Sequence, residues 1–305
     1  MKPTYASLIF SICLALCCLP VVGPPLALAL GLIVASTSGN PFAETTGKWV
    51  GFLLKASVIG LGFGINGQLL IETGRQSLLL TAGAVVVVLL AGMVLGRWLK
   101  VESKIALLIA AGTAICGGSA VAAVGTAIDA DSRQLSVSTG TIFMLNAVAL
   151  FLFPVLGQWL GLSQEQFGLW SAIAIHDTSS VVGAAARYGD MALHVATTTK
   201  MVRVLWIIPV AFLSALPYWQ RGTRVQFPYF IFLFVAASLV RGSMPDFGDT
   251  FVVLYRLARQ GLVVSLFLIG AGLSLKTIRS VGPKPLLQGV ILWLLTSAVS
   301  LLLIR

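Results

Sequence analysis

His176 and Asp177 stand side by side in the stretch Ser171 to Ala186, an otherwise apolar run long enough to cross a bilayer. Asp177 is the one carboxylate that the sequence places deep inside such a run. A charged side chain at the centre of a membrane helix costs roughly 2.5–3.5 kcal/mol on insertion scales, so it is expected to face a protein-lined or water-filled interior and act there. Asp177 would carry a proton or offset a cation, and His176 would titrate near neutral pH beside it. Neighbours on an unbroken helix point about 100° apart, so both face one cavity only if the helix is interrupted. The alternative is a structural pair satisfied by the hydroxyls of Thr178, Ser179 and Ser180 or by adjacent helices.

A second stretch, Thr113 to Ala123, reads as the partner of the first. At an offset of 60 positions, Ala114 onto Ala174, the two share the pattern A-I-x-x-x-S-x-V. Cys116, Gly117, Gly118 and Ser119 replace good helix formers with small residues, and the glycine pair predicts a break in the helical ladder. Broken helices expose backbone groups at membrane depth, which is tolerated only where they line a cavity. Ser119, Thr178, Ser179, Ser180 and the amides at a half-helix N-terminus are donors suited to an oxyanion. The competing reading is helix packing through small residues and hydroxyls. Lys200 and Arg203 share a face three residues apart inside an apolar run and would attract an anion; snorkelling toward headgroups is the alternative. Asn146 is a further buried polar group expected along the same path.

The elements that must position these residues are membrane helices. Of the 305 residues, 58% are hydrophobic and 10% charged, and the mean hydropathy is +0.98. A soluble domain carries about 25% charged residues. The net charge of +10 belongs to basic loops between apolar runs and not to a nucleic-acid surface. Cys13, Cys17, Cys18 and Cys116 all fall in apolar runs without metal-ligand spacing and read as small buried side chains, and two His residues argue against a zinc site. No P-loop is present to harness a nucleotide, so no cofactor is expected. An N-terminal signal peptide is unnecessary, because Leu8 to Leu19 serves as a first span.

The predicted fold is all-α, a polytopic membrane protein with about eleven crossings. These are Ala6 to Leu19, Leu26 to Ser36, Trp49 to Ile65, Leu78 to Gly96, Ile105 to Ile128, Leu135 to Leu156, Phe167 to Ala186, Ala192 to Leu216, Tyr229 to Val240, Gly261 to Leu275 and Leu286 to Ile304. The first two are short enough for a tilted hairpin. Basic loops place the N-terminus inside: Lys2, Lys48, Arg97, Lys100, Lys104, Arg221, Arg224, Lys276, Arg279 and Lys284 fall on one side. The other receives the mixed loops holding Asp129, Asp131 and Arg133, or Arg241, Asp246 and Asp249. Trp98, Trp159, Trp170, Tyr218 and Trp219 are expected as interfacial anchors, and Asn66 as a loop cap.

Ile59-Gly60-Leu61-Gly62 returns as Ile269-Gly270-Ala271-Gly272. This suggests inverted repeat hairpins at about 58–96 and 267–304 around central broken helices at about 105–128 and 167–186. By the same count the two central spans run in one direction, whereas an inverted pair runs in opposite ones. Three readings follow: one span is re-entrant, the match is coincidental, or the count is off by one.

The motifs "GTAICGGSAVAA", "LSVSTGTIFMLNAVALFLFP", "EQFGLWSAIAIHDTSSVVGAAA" and "TTTKMVRVLWIIP", within a likeness running from "GLGFGIN" to "GAGLSLKTI", resemble the YeiH-like sulfate exporter family of bacterial inner-membrane proteins. The "CGGSA" break is also distantly similar to the bile acid:sodium symporter fold. That likeness implies a core domain with two crossing discontinuous helices and an outer panel domain in a single transporter domain over 1–305. The spacing departs from it, since the two breaks lie too close for a five-plus-five inverted repeat. The family implies transport of sulfate or sulfonate-like anions, with His176, Asp177, Thr178, Ser179, Ser180, Cys116, Gly117, Gly118, Ser119, Lys200 and Arg203 at motif positions.

The expected activity is secondary transport of a small anion, proton-coupled through His176 and Asp177. Rivals are a sodium-coupled carrier, an anion channel, and an intramembrane serine protease using Ser119 with His176 as base. Partners are then the anion, the coupling proton or sodium, membrane lipid and a second copy of the chain in a homodimer. Nucleic acid is not among them.

Overall fold

The structure is a computed structural model that describes residues 3–19, 21–64, 67–216, 229–272 and 281–305. Lys2, Asn66, Tyr218, Trp219, Arg221, Arg224, Lys276 and Arg279 lie outside them. Every regular element among the described residues is helical. Two compact units form, one from Met1–Glu72 with Tyr229–Leu275, the other from Thr73–Pro228 with Lys276–Arg305.

The first unit holds α1 (Pro3–Cys17), α2 (Pro24–Thr37), α3 (Ala43–Leu61), α12 (Tyr229–Ser243) and α13 (Gly248–Gly272). Helices α2 and α3 both pack on α13. At the α2–α13 crossing the backbones nearly touch: a Cβ on Gly31 would fall 2.2 Å from the Phe267 carbonyl oxygen, and one on Gly270 2.5 Å from that of Leu28. Small residues at such a crossing let membrane helices approach closely enough for dispersion to hold them.

The second unit holds α4 (Gly67–Trp98) from Thr73 onward, then α5 (Ser103–Ala114), α6 (Gly118–Ala127), α7 (Ser132–Trp159), α8 (Gln164–Ala174), α9 (Thr178–Tyr188), α10 (Asp190–Leu205), α11 (Ile207–Ala215) and α14 (Pro283–Ile304). Among the described residues, five helices are long and apolar enough to span a membrane: Leu70–Trp98, Arg133–Trp159, Asp190–Ala215, Gly248–Gly272 and Pro283–Ile304.

Two of the eleven expected crossings are corrected by this unit. The run from 105 to 128 does not continue across; it turns back at its break. Its legs close in register: Lys104 Nζ donates to the Asp129 carbonyl at 2.6 Å, while Cβ positions on Gly125 and Gly112 would meet Leu108 at 3.5 Å and Val121 at 3.0 Å. The run from 167 to 186 turns back likewise. The Phe167 and Tyr188 rings stack at 3.8 Å, the Met191 N–H donates to Gln164 Oε1 at 3.0 Å, and the Tyr188 hydroxyl donates to the Leu162 carbonyl at 2.6 Å. At 1.5 Å per residue each leg is roughly 15–18 Å long, about half a hydrocarbon core.

The two helical hairpins enter from opposite ends of α7. The base of the first meets the start of α7, where Glu102 accepts from Arg133 and Gln134 and Asp131 builds a capping box with Gln134. The base of the second meets its end, where a Cβ on Gly157 would strike the Phe167 ring at 2.5 Å. Hence Asp129, Asp131 and Arg133 share an end with Lys104, not the opposite one as the span count had it. Among the three readings of the central pair, re-entry holds, and it holds for both members.

Trp170 is also corrected. It is buried, stacks on Phe153 at 4.4 Å and donates to the Ser297 carbonyl at 2.9 Å, because it lies on the face of α8 that packs on α7 and α14; Trp98 and Trp159 remain exposed at helix ends.

The fold carries a direct topological test. In a cysteine-free background, Glu102→Cys and Arg133→Cys are expected to react with an impermeant maleimide from one face of the membrane, and Glu165→Cys and Arg187→Cys from the other. Labelling of positions 102 and 133 from opposite faces would restore the full crossing.

Candidate functional site

The hairpin tips meet. Gly117 has φ +70°, a conformation glycine adopts without strain, and a Cβ there would lie 3.2 Å from Asp177 Cα and 3.3 Å from its Cβ. Midway along α7, Asn146 Oδ1 accepts the His176 and Asp177 amides at 3.1 and 3.2 Å, which pins the second tip to the middle of that 28-residue helix. Ile142, one turn earlier, packs on Gly112 and Gly117.

Each tip interrupts a helix, so each exposes carbonyls from the leg that ends there and amides from the leg that begins. At the end of α5 the accounting is complete. Ala111 and Gly112 carbonyls accept the Ile115 and Gly117 amides at 3.0 and 2.9 Å; Thr113 accepts Arg203 Nη2 at 2.8 Å, and Ala114 accepts Arg203 Nε. At the end of α8, Ser171 accepts the Ile175 amide at 3.0 Å. Ala172 accepts Arg203 Nη1 at 3.0 Å and Lys200 Nζ at 3.3 Å, Ile173 accepts Arg203 Nη1, and Ile175 accepts Lys200 Nζ at 2.8 Å. Both cations are wholly buried. The sequence offered them as attractors for an anion; in the structure their donors go to backbone carbonyls at the ends of two half-helices, where the dipole favours positive charge.

The beginning legs differ from each other. Helix α9 is capped by its own carboxylate: Asp177 Oδ2 accepts the Ser179 and Ser180 amides at 3.0 and 3.4 Å and the Ser179 hydroxyl. Asp177 Oδ1 makes none of these bonds, and the residue is half-buried. Helix α6 has no side-chain cap. The Gly118 and Ser119 amides make no hydrogen bond among the described residues. Ser119 is exposed and Gly118 half-exposed, so this N-terminus is open where that of α9 is closed.

Gly117, Gly118, Ser119, Cys116, Asp177, His176, Asn146, Lys200 and Arg203 therefore converge on one locus. Thr178, Ser179 and Ser180 form the first turn of α9 and are buried in it. The His176 ring is wholly buried and neither ring nitrogen has a partner among the described residues; no hydrogen bond joins it to Ser119. Of the cysteines, Cys116 and Cys17 are buried, Cys13 partly so, and Cys18 is exposed, against the expectation that all four are interior.

Sequence reasoning missed Phe143, whose ring edge would lie 3.2 Å from a Cβ on Gly118 and walls the open N-terminus. It also missed Gln288, buried in α14, whose amide donates to the Gly92 and Ala106 carbonyls at 3.0 and 3.1 Å and so ties α4 to the first hairpin. A lone amide in the apolar run "PLLQGVILW" was the signal for the latter.

Similar proteins extend along nearly the whole chain. A UPF0324 membrane protein of Bacteroides thetaiotaomicron is 47% identical over 285 residues, covering 92% of this chain and 86% of its own. The UPF0324 membrane protein Bd1437 of Bdellovibrio bacteriovorus is 46% identical over 307 residues, 98% of this chain and 94% of its own. A UPF0324 membrane protein of Shewanella oneidensis is 47% identical over 291 residues, 95% and 92%. No solved structure matches. The family model described as "Conserved hypothetical protein 698" matches residues 6–289, and the chain belongs to that family of membrane proteins.

Proposed function

We propose that this protein is a secondary transporter of a small oxyanion, of the sulfate or sulfonate class, driven by protons across a bacterial inner membrane with the N-terminus in the cytoplasm. One observation carries the reading: the open N-terminus of α6 and Asp177 meet at the apposed tips, where a Cβ on Gly117 would lie 3.2 Å from Asp177 Cα. Two hairpins that each reach half-way across bring backbone donors to the middle of a bilayer, where a carrier needs its substrate.

The chemistry follows from the asymmetry of the tips. In the offset alignment Gly117 stands where Asp177 stands. Where α9 carries a resident carboxylate on its N-terminus, α6 carries none, so a free anion takes the equivalent place on the Gly118 and Ser119 amides. An ionised Asp177 beside it repels that anion; a protonated Asp177 removes the repulsion and offers an O–H donor through Oδ1. Proton and anion thus bind together, which is the requirement for coupling.

The grouping of charges supports the orientation, because re-entry places Arg97, Lys100, Lys104 and Arg133 at one end of the second unit. The test is radiolabelled sulfate uptake into proteoliposomes with and without an imposed pH gradient. Uphill accumulation that needs the gradient is expected. Downhill flux alone would make the protein a channel, and no flux from folded protein would remove sulfate and send the assay to sulfonates and carboxylates.

A further inference from the structure

The ends of α5 and α8 hold five carbonyls that no backbone amide satisfies: Thr113, Ala114, Ala172, Ile173 and Ile175, all answered by Lys200 and Arg203. Helix C-termini carry about half a negative charge each, and at membrane depth such ends, with unwound carbonyls, are where broken-helix carriers hold sodium. Among the described residues neither Lys200 nor Arg203 forms an ion pair with a carboxylate. Two wholly buried cations three residues apart on one helix repel each other, and what offsets that repulsion is the pair of half-helix ends converging on them. Arg203 spans both ends with its planar fork, joining the tips through Ala114 and Ile173, while Lys200 sits on the second alone.

We propose that Lys200 and Arg203 are resident counter-ions: tethered cations seated on the half-helix C-termini in place of a bound sodium, so that the protein neither needs nor binds sodium at its hairpin tips. The inference deepens the transporter reading in the identity of its coupling ion and rests on that reading for the word coupling. The electrostatic arrangement itself stands on the hydrogen bonds. Ala172 already accepts from both cations and the other four carbonyls from one each, so a sodium ion at these ends would have to displace a side chain.

Lys200 is the position to test, because its ammonium is a compact charge whose removal leaves the Ile175 carbonyl without a donor and Ala172 with Arg203 alone, where a small free cation can take its place. Thermal unfolding of the purified protein is measured in sodium chloride against choline chloride at matched ionic strength. The wild type is expected to unfold at the same temperature in both. Lys200→Ala is expected to lose on the order of 5–10 °C and to recover part of it with sodium, lithium or methylammonium, but not with choline. Lys200→Met fills the space without charge and is expected to stay destabilised and unresponsive; Lys200→Arg retains stability.

A wild type stabilised by sodium over choline overturns the proposal, as does a folded Lys200→Ala that answers to none of the three cations. So does a Lys200→Met as stable as the wild type. If Lys200→Ala does not fold, the wild-type comparison and Lys200→Met decide alone. No flux is read, so failure here leaves the carrier reading standing, and absence of flux leaves the counter-ions standing.

Discussion

Asp177→Asn is expected to bring pH-gradient-driven anion accumulation down to the level of empty liposomes while leaving the protein folded. The two halves of that expectation come from the two oxygens of one carboxylate. Oδ2 caps α9 through the Ser179 and Ser180 amides, and Asn caps as well as Asp, so the unfolding free energy is expected to move by less than about 0.5 kcal/mol. What Asn lacks is a proton that comes and goes. Its amide cannot repel the anion on the α6 amides in one state and admit it in the other, so any remaining flux is downhill and indifferent to pH. Asp177→Ala removes cap and charge together, and should add about 1 kcal/mol of destabilisation to the same loss of coupling. Gradient-driven accumulation by Asp177→Asn, in protein whose unfolding temperature matches the wild type, would put the proton elsewhere.

Arg203→Met is expected to eliminate folded protein. Four buried carbonyls on two different hairpins depend on this guanidinium. Ala172 keeps Lys200, but Thr113, Ala114 and Ile173 lose their donor; each loss costs about 1–3 kcal/mol, and the sum reaches into the roughly 5–15 kcal/mol by which proteins are stable at all. Met supplies the volume and none of the donors. Arg203→Lys restores the charge but not the planar fork, and a single ammonium cannot reach the ends of α5 and α8 at once, so it is expected to fold poorly as well. Size-exclusion profiles of membrane extracts give the answer; a monodisperse Arg203→Met at wild-type yield would show that the carbonyls find other partners.

Both breaks were legible because the residue types there conflict with a continuing helix. Gly117-Gly118 and His176-Asp177 announce an interruption whatever follows. The direction of the chain after the break was not legible, because an apolar leg of about eleven residues has the same composition whether it continues outward or returns. What decides it are contacts across the turn, such as Lys104 with the Asp129 carbonyl or Phe167 against Tyr188. The error in direction carried the loop 129–133 to the wrong side, while the burial of Trp170 escaped notice because the face of α8 it lies on, toward Phe153 and the Ser297 carbonyl, has no mark in the sequence. Lys200 and Arg203 were recognised as interior charges from their depth. Their partners are backbone carbonyls, Arg203's some 30 and 90 positions away, and a backbone carbonyl has no signature in a sequence. Asn146 was found as a buried polar residue, and its role as the pin of the second tip became visible only with the fold.

The element order α5, α6, α7 is repeated as α8, α9 and the α10–α11 segment: a hairpin that turns back on itself, followed by a stretch long enough to cross, Arg133–Trp159 in one case and Asp190–Ala215 in the other. Such a module makes one net passage through the bilayer. Copying it in tandem therefore delivers the second copy upside down, with no need for an ancestor that inserted in both orientations and no rearrangement of the charges that set its sense. A duplication of that kind would yield the symmetry at once, and a difference such as Asp177 opposite Gly117 would be enough to make the two halves unequal.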